Sequence, residues 1–205
     1  MAIVIEHEKR RKEILKKALD VFVEEGFEDA TFQKIADRCG ITRTTLYIYF
    51  KSKKEIFNYS IKLLLAKVEE GIQHILSDAS LPSVDKITNV LHNIFQQLEK
   101  NRNLLSVVLN YLLHFSKNDA ADPESRIRRR TIRLRHILAS MVIEGVKKGE
   151  LKAVDIKVTG DYLYSLIEAA IFQLVVLQRK SIGDLQKTAA FAVSNLEIVP
   201  IASPQ

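Results

Sequence analysis

From Thr31 to Ile56 the chain reads TFQKIADRCGITRTTLYIYFKSKKEI. Thr31 is placed to cap a short helix that turns Phe32, Ile35, Ala36 and Cys39 to one side, the i, i+3, i+4, i+7 spacing of a buried stripe. Lys34 stands where a capping box would carry an acid or amide, so Thr31 caps alone. Gly40 stops this helix after two turns, Ile41 plugs the turn, and Thr42 is positioned to cap a second helix that runs to about Phe50. Lys51, Ser52 and Lys53 then open another. Two short helices joined at a glycine have helix-turn-helix spacing.

On a helical wheel of the second of these helices, Leu46 and Phe50 point inward, while Arg43, Thr44, Tyr47, Ile48 and Lys51 project on the opposite side. A major groove offers hydrogen-bond acceptors and thymine methyls, which suit Arg, Thr and Tyr on one hand and Ile48 on the other. Thr31 and Thr42, each at a helix start, can add donors toward phosphate oxygens, and Lys51, Lys53 and Lys54 would meet phosphates nearby. Each feature has a plainer reading: threonines that only cap, Tyr47 and Tyr49 that only cover a small core, lysines that only face solvent. Their coincidence in one segment favours a duplex. Charge placement agrees with this. The whole chain carries a formal net charge of +6. Residues 1–60 hold 12 Lys or Arg against 10 Asp or Glu, yet Arg38 to Lys54 contains five basic residues and no acid.

The stretch from Thr31 to Ile56 resembles the DNA-binding signature of the tetracycline repressor (TetR) family. The likeness covers roughly Arg11 to Ile61 and rests on Ile35, Ala36, Gly40, Ile41, Leu46, Tyr47, Tyr49, Phe50, Ser52 and Lys53. It implies a homodimeric regulator, usually a repressor, acting on a palindromic operator in double-stranded DNA. Carried over residue by residue, it makes Tyr47, Tyr49 and Lys53 backbone clamps, with Lys51 beside them. Thr42 becomes a phosphate contact, and Arg43 and Thr44 become the readers of base edges. The family often has a small residue at position 44 and a histidine or tryptophan at position 48, so Thr44 and Ile48 are expected to shift sequence preference.

Outward from this segment, apolar residues recur with a helical period, and no sustained alternation reads as a strand. The expected fold is all-α, with about nine helices. A first helix is expected over about Glu8–Glu25, and a long fourth carries Ile56, Ser60, Leu64, Val68 and Ile72 on one stripe. A sixth, Leu104–Phe115, is apolar on all sides and reads as buried. The eighth, about Asp155–Arg179, is apolar around most of its circumference, and a ninth follows from about Ile182. The expected division is a helix-turn-helix domain over residues 1–52 and a helical effector-binding and dimerisation domain over residues 53–205.

The resemblance implies that the last two helices pair with those of a second copy, and Ala169, Ala170, Leu174, Leu185 and Ala189 are the candidates for that interface. A symmetric pair places two reading heads one groove repeat apart, which a palindrome matches. The resemblance also implies an effector pocket among the fifth to eighth helices. There the chain offers Phe95, Leu98, Leu109, Leu112, Phe115, Leu138, Met141, Tyr162, Leu166 and Phe172, a lining for a small, largely apolar effector. The same side chains would equally fill an ordinary core, so a dimeric DNA-binding regulator with no small-molecule effector stays open. His92, His114 and His136 read as structural or as orienting groups for such a ligand. Arg126, Arg128, Arg129, Arg130, Arg133 and Arg135, six arginines in ten residues, read first as a solvated face.

One cysteine, Cys39, excludes an internal disulfide, and Met1 to Ile5 is too short for the apolar stretch of a signal peptide, so a cytoplasmic protein is expected. Leu104–Phe115 and Leu163–Leu177 fall short of the roughly 20 residues a membrane span needs. No P-loop, G-x-G-x-x-G, paired cysteines or H-E-x-x-H occurs, which argues against an enzyme, and neither cofactor nor metal is expected.

Overall fold

Helical periodicity carries through to the backbone. The computed structural model describes residues 2–115 and 123–198, with side chains described for residues 6–113, 129 and 131–198. Among them are nine helices: α1 (Ala2–Asp29), α2 (Phe32–Cys39), α3 (Arg43–Tyr49), α4 (Lys53–Ser77), α5 (Ser83–Lys100), α6 (Arg102–Phe115), α7 (Pro123–Lys147), α8 (Ile156–Val175) and α9 (Gly183–Ser194). The described residues hold no strand, only a single antiparallel bridge between Leu151 and Glu197. The all-α fold is thus as expected. The first helix is longer than its stripe implied, and Gly26, with φ of 79° and ψ of 174°, breaks it near the expected end.

The chain divides into two compact units, Met1–Glu69 with Asn103–His114, and Glu70–Arg102 with Phe115–Gln205. In the first, α1 packs on α2 and α2 on α3. Its core is Ile14, Ala18, Phe22, Ile35, Ala36, Leu46, Phe50, Ile56 and Phe57, all nearly or wholly inaccessible. Tyr111 of α6 meets the Phe27 and Phe57 rings edge-on at 4.5 and 5.1 Å. Buried Ser60 of α4 donates its hydroxyl to the Leu15 carbonyl at 2.9 Å, which answers the cost of burying a polar group there. A sixth helix buried on every side is not what forms. Leu104 and Tyr111 are buried, but Leu113 is 71% exposed. Asn103 and Asn110, seven residues apart, mark an exposed stripe on which Leu113 also falls.

In the second unit α7 packs on α8, while α5 contacts α7, α8 and α9. Ile87, Val90, Leu91, Phe95, Leu138, Val142, Leu163, Ile167, Ala170 and Val193 form its core. Gly145 permits a close approach there: a Cβ at that position would lie 2.5 Å from Leu151 Cδ1 and 2.8 Å from the Ser83 Cβ. Asp155 caps α8, its carboxylate accepting from the Val158 amide at 2.9 Å. Lys86 is buried at the start of α5, its ammonium 3.4 Å from the Leu76 carbonyl and 3.9 Å from Glu144 Oε1.

Candidate nucleic-acid interface

The two threonine caps form as the residue types dictate. Thr31 Oγ1 accepts from the Lys34 amide at 3.2 Å and Thr42 Oγ1 from the Thr45 amide at 3.1 Å, each on extended backbone. Between them Gly40 adopts φ of 68° and ψ of 36°. This left-handed conformation lets its amide and that of Ile41 close the end of α2 on the Ala36 and Asp37 carbonyls. Leu46 and Phe50 are buried, so the rotation of α3 about its axis is fixed by the core.

That rotation turns Arg43, Thr44, Tyr47 and Ile48 outward. Ile48 is 70% exposed and Tyr47 48%, large fractions for apolar and aromatic side chains. Tyr47 is nonetheless held: its ring stacks on Phe32 at 4.5 Å, and its hydroxyl accepts from the Arg43 guanidinium at 3.2 Å. Tyr49 is half-buried and stacks on His7 of α1, with ring centroids 4.5 Å apart. Thr31, Thr42 and Lys51 are exposed.

Lys53 behaves differently from the other expected contacts. Its ammonium donates to the carbonyls of Phe27 at 2.9 Å and Glu28 at 2.6 Å, and lies 4.8 Å from the Phe27 ring centre. It thus closes the carboxyl end of α1, where a cation is favoured by the helix dipole. Arg38 pairs with Glu24 and Lys34 with Glu25 at 2.7 Å, tying α2 to α1. The Arg38 hydrogen bond holds the Glu24 carboxyl below its ordinary range, and Glu24 in turn raises Arg38. Burial pushes the Cys39 thiol up, so it fills the core rather than reacting.

Sequence reasoning missed three supports of this surface. Ser52 Oγ accepts from the Glu55 amide while Glu55 accepts from the Lys51 amide at 2.6 Å, a near capping box that Ser52-x-x-Glu55 spelled out. Arg11 lies over Tyr59 and Phe50, 4.4 and 5.1 Å from their ring centres. Neither that contact nor the His7–Tyr49 stack has a local sequence signal.

The effector candidates divide between the two units. Phe95, Leu138, Met141 and Leu166 are buried in the second unit and Leu98 is half-buried there. Leu109 and Leu112 are half-buried in the first unit, and the Phe115 side chain lies outside the described residues. Tyr162 and Phe172 are 47% and 53% exposed. Val158 on α8 and Val176 at its C-cap are exposed as well, whereas Leu166 is buried. Of the dimer candidates, Ala169 is half-buried, whereas Ala170, Leu174, Leu185 and Ala189 already face the chain's own core. A depression of about 310 Å³ between α5 and α9 is bordered by Leu91, His92, Phe95, Gln186 and Ala189. Phe95 is the one effector candidate that reaches it.

His92 and His136 are exposed, and the His114 side chain lies outside the described residues. Of the arginine run, Arg129 and Arg133 are exposed, and Arg135 pairs with Asp161 at 3.3 Å over the Tyr164 ring. The side chains of Arg126, Arg128 and Arg130 lie outside the described residues. No helix among the described residues is long and apolar enough to cross a membrane.

Two capped helices about a glycine turn, the second presenting a polar and aromatic face, define the class: a helix-turn-helix DNA-binding protein. Residues 14–59 match the model of the bacterial regulatory proteins of the tetR family, so the chain carries a DNA-binding segment similar to that of those transcriptional regulators. The fatty acid metabolism regulator protein of Bacillus subtilis is 25% identical over 171 residues, covering 82% of this chain and 84% of that one. The HTH-type transcriptional repressor KstR2 of Mycolicibacterium smegmatis is 32% identical over 90 residues, 44% of this chain and 43% of the relative. Among solved structures, a TetR transcription regulator from Haloarcula marismortui shares the fold. Its TM-score is 0.76 at 19% identity, over 93% of this chain and 97% of that one.

Proposed function

We propose that this regulator is a homodimeric repressor that holds a palindromic operator and releases it when a small, largely apolar effector binds. The carrying observation is the outward face of α3, where Arg43, Thr44, Tyr47 and Ile48 stand exposed on a helix whose rotation Leu46 and Phe50 fix. On this reading Arg43, Thr44 and Ile48 read base edges. Thr31, Thr42, Tyr47, Tyr49, Lys51 and Lys53 hold phosphates and set the register. These residues fall within 1–52 or at its edge, and residues 53–205 supply the effector and dimer surfaces.

Dimerisation is supported by the free apolar stripe of α8, Val158, Tyr162, Phe172 and Val176, with Phe191 exposed on α9. A second copy is the partner that makes two reading heads. The apolar character of the effector is supported by Phe95, Leu138, Met141 and Leu166 in the second unit, and by the relative whose name ties it to fatty acid metabolism. A ligand releases DNA only by binding one arrangement of the dimer more tightly than the other, so its pocket must differ between them.

The test is a gel shift on a duplex enriched from a random library by the wild-type chain, titrated with a panel of fatty acids. Release of the duplex by one of them is expected. A fatty acid that binds tightly with no change in DNA affinity removes the gating step. That second reading, a dimeric regulator without an effector, has one observation in its favour: Phe95, Leu138 and Met141 are all but closed off within the chain. Arg43→Ala should relax sequence preference in the same assay, and unchanged selectivity would count against its role as reader.

A further inference from the structure

The family match begins at residue 14, yet two side chains before it lie against the carboxyl end of the reading helix. His7 and Arg11, one turn apart on α1, share a face. Arg11 covers Phe50 and Tyr59. His7, itself exposed, lies with its ring 4.5 Å from that of Tyr49 at an interplanar angle of 23°, a near-parallel stack. Tyr49 is the last residue of α3 and only half-buried. Its neighbour Tyr47 is braced by Phe32 and Arg43. For Tyr49 the corresponding brace is His7.

We propose that His7 is a positioning residue for DNA binding, holding the Tyr49 ring by stacking so that its hydroxyl is aimed at the phosphate backbone. The physical gain is preorganisation. An unbraced, half-exposed tyrosine samples several rotamers and loses that freedom on binding, whereas a stacked one has lost it already. The flat face of an imidazole suits this place better than an aliphatic side chain would, and its exposure means that the fold does not depend on it. The proposal rests on the reading of Tyr49 as a backbone contact, and the experiment separates the two.

The full chain and its variants His7→Ala, His7→Phe, Tyr49→Ala and His7→Ala/Tyr49→Ala are titrated by fluorescence anisotropy against the labelled duplex enriched by the wild-type chain, with thermal melts alongside. His7→Ala should weaken binding about threefold to tenfold, the range of an aromatic pair, with an unchanged melting temperature and an unchanged salt slope. His7→Phe, which keeps the stack and removes the imidazole, should bind within about twofold of wild type, and His7→Ala should add no further loss to Tyr49→Ala. Three results overturn the proposal while leaving the Tyr49 reading intact. These are a weak Tyr49→Ala beside an unaffected His7→Ala, a His7→Phe as weak as His7→Ala, or losses that simply add in the double variant. A Tyr49→Ala that binds as tightly as wild type removes the Tyr49 reading and this proposal with it.

Discussion

Lys53 carries a structural load at the end of α1 and, on the proposed function, a second one toward phosphate. A phosphate clamp needs a cation at the edge of the groove, and Lys53 stands at the start of α4, with three residues between it and the end of α3. Its ammonium nevertheless donates to the Phe27 and Glu28 carbonyls, groups that the end of α1 would otherwise leave without intrahelical partners. An ammonium has three donors, so contact with a phosphate uses what these two bonds leave. Lys53→Met keeps the stem over Phe27 and removes the charge. It should lower stability in urea by about 1 kcal/mol, the net worth of a charged hydrogen bond discounted for partial exposure. Lys51, exposed and bonded through its backbone amide to Glu55, offers the contrast. Lys51→Ala should leave the urea midpoint in place and reduce the salt dependence of DNA binding by about one counterion per protomer, about two for the dimer. Should Lys53→Met match Lys51→Ala in both measurements, the carbonyl contacts contribute nothing and Lys53 serves the phosphate alone.

For the helix pair α2 and α3, the geometry depends on the turn between them. Gly40 sits at φ of 68°, and a Cβ added there would meet nothing within 4 Å, so the whole cost of replacing it lies in the backbone. Gly40→Ala should therefore destabilise by about 1 kcal/mol. Gly40→Asn should cost less, because asparagine tolerates the left-handed region; thermal melts that rank asparagine below alanine would point instead to a packing role. The turn, both threonine caps and the inward stripe of α2 were legible in the sequence because each is written within four residues of itself. The braces of the same surface were not. Lys53 to Phe27, Arg38 to Glu24 and His7 to Tyr49 join residues that only the packing of α1 brings near, and no local period encodes them. The sixth helix misled for a related reason: its apolar count outweighed Asn103 and Asn110, which set its exposed stripe.

At the scale of the whole molecule, the open question is which face of α8 a second copy would cover. A helix apolar around most of its circumference gives composition but no phase, which is why Ala170 and Leu174 stood out in the sequence. In the folded chain Ala170 and Leu174 face the core, and Val158, Tyr162, Phe172 and Val176 form the free stripe. On the proposed homodimer, that stripe is the surface a second copy covers. Two substitutions tell the faces apart. Phe172→Glu places an unpaired charge in an apolar contact and should yield folded monomers by sedimentation velocity, with helicity unchanged by circular dichroism. Ala170→Glu puts the same charge into the chain's own core and should cost the second unit its cooperative melting transition. Monomers of Phe172→Glu should bind the enriched duplex about a hundredfold more weakly, because the second head no longer binds at the effective concentration set by the first. A Phe172→Glu chain that stays dimeric and binds undiminished would move the interface off this stripe altogether.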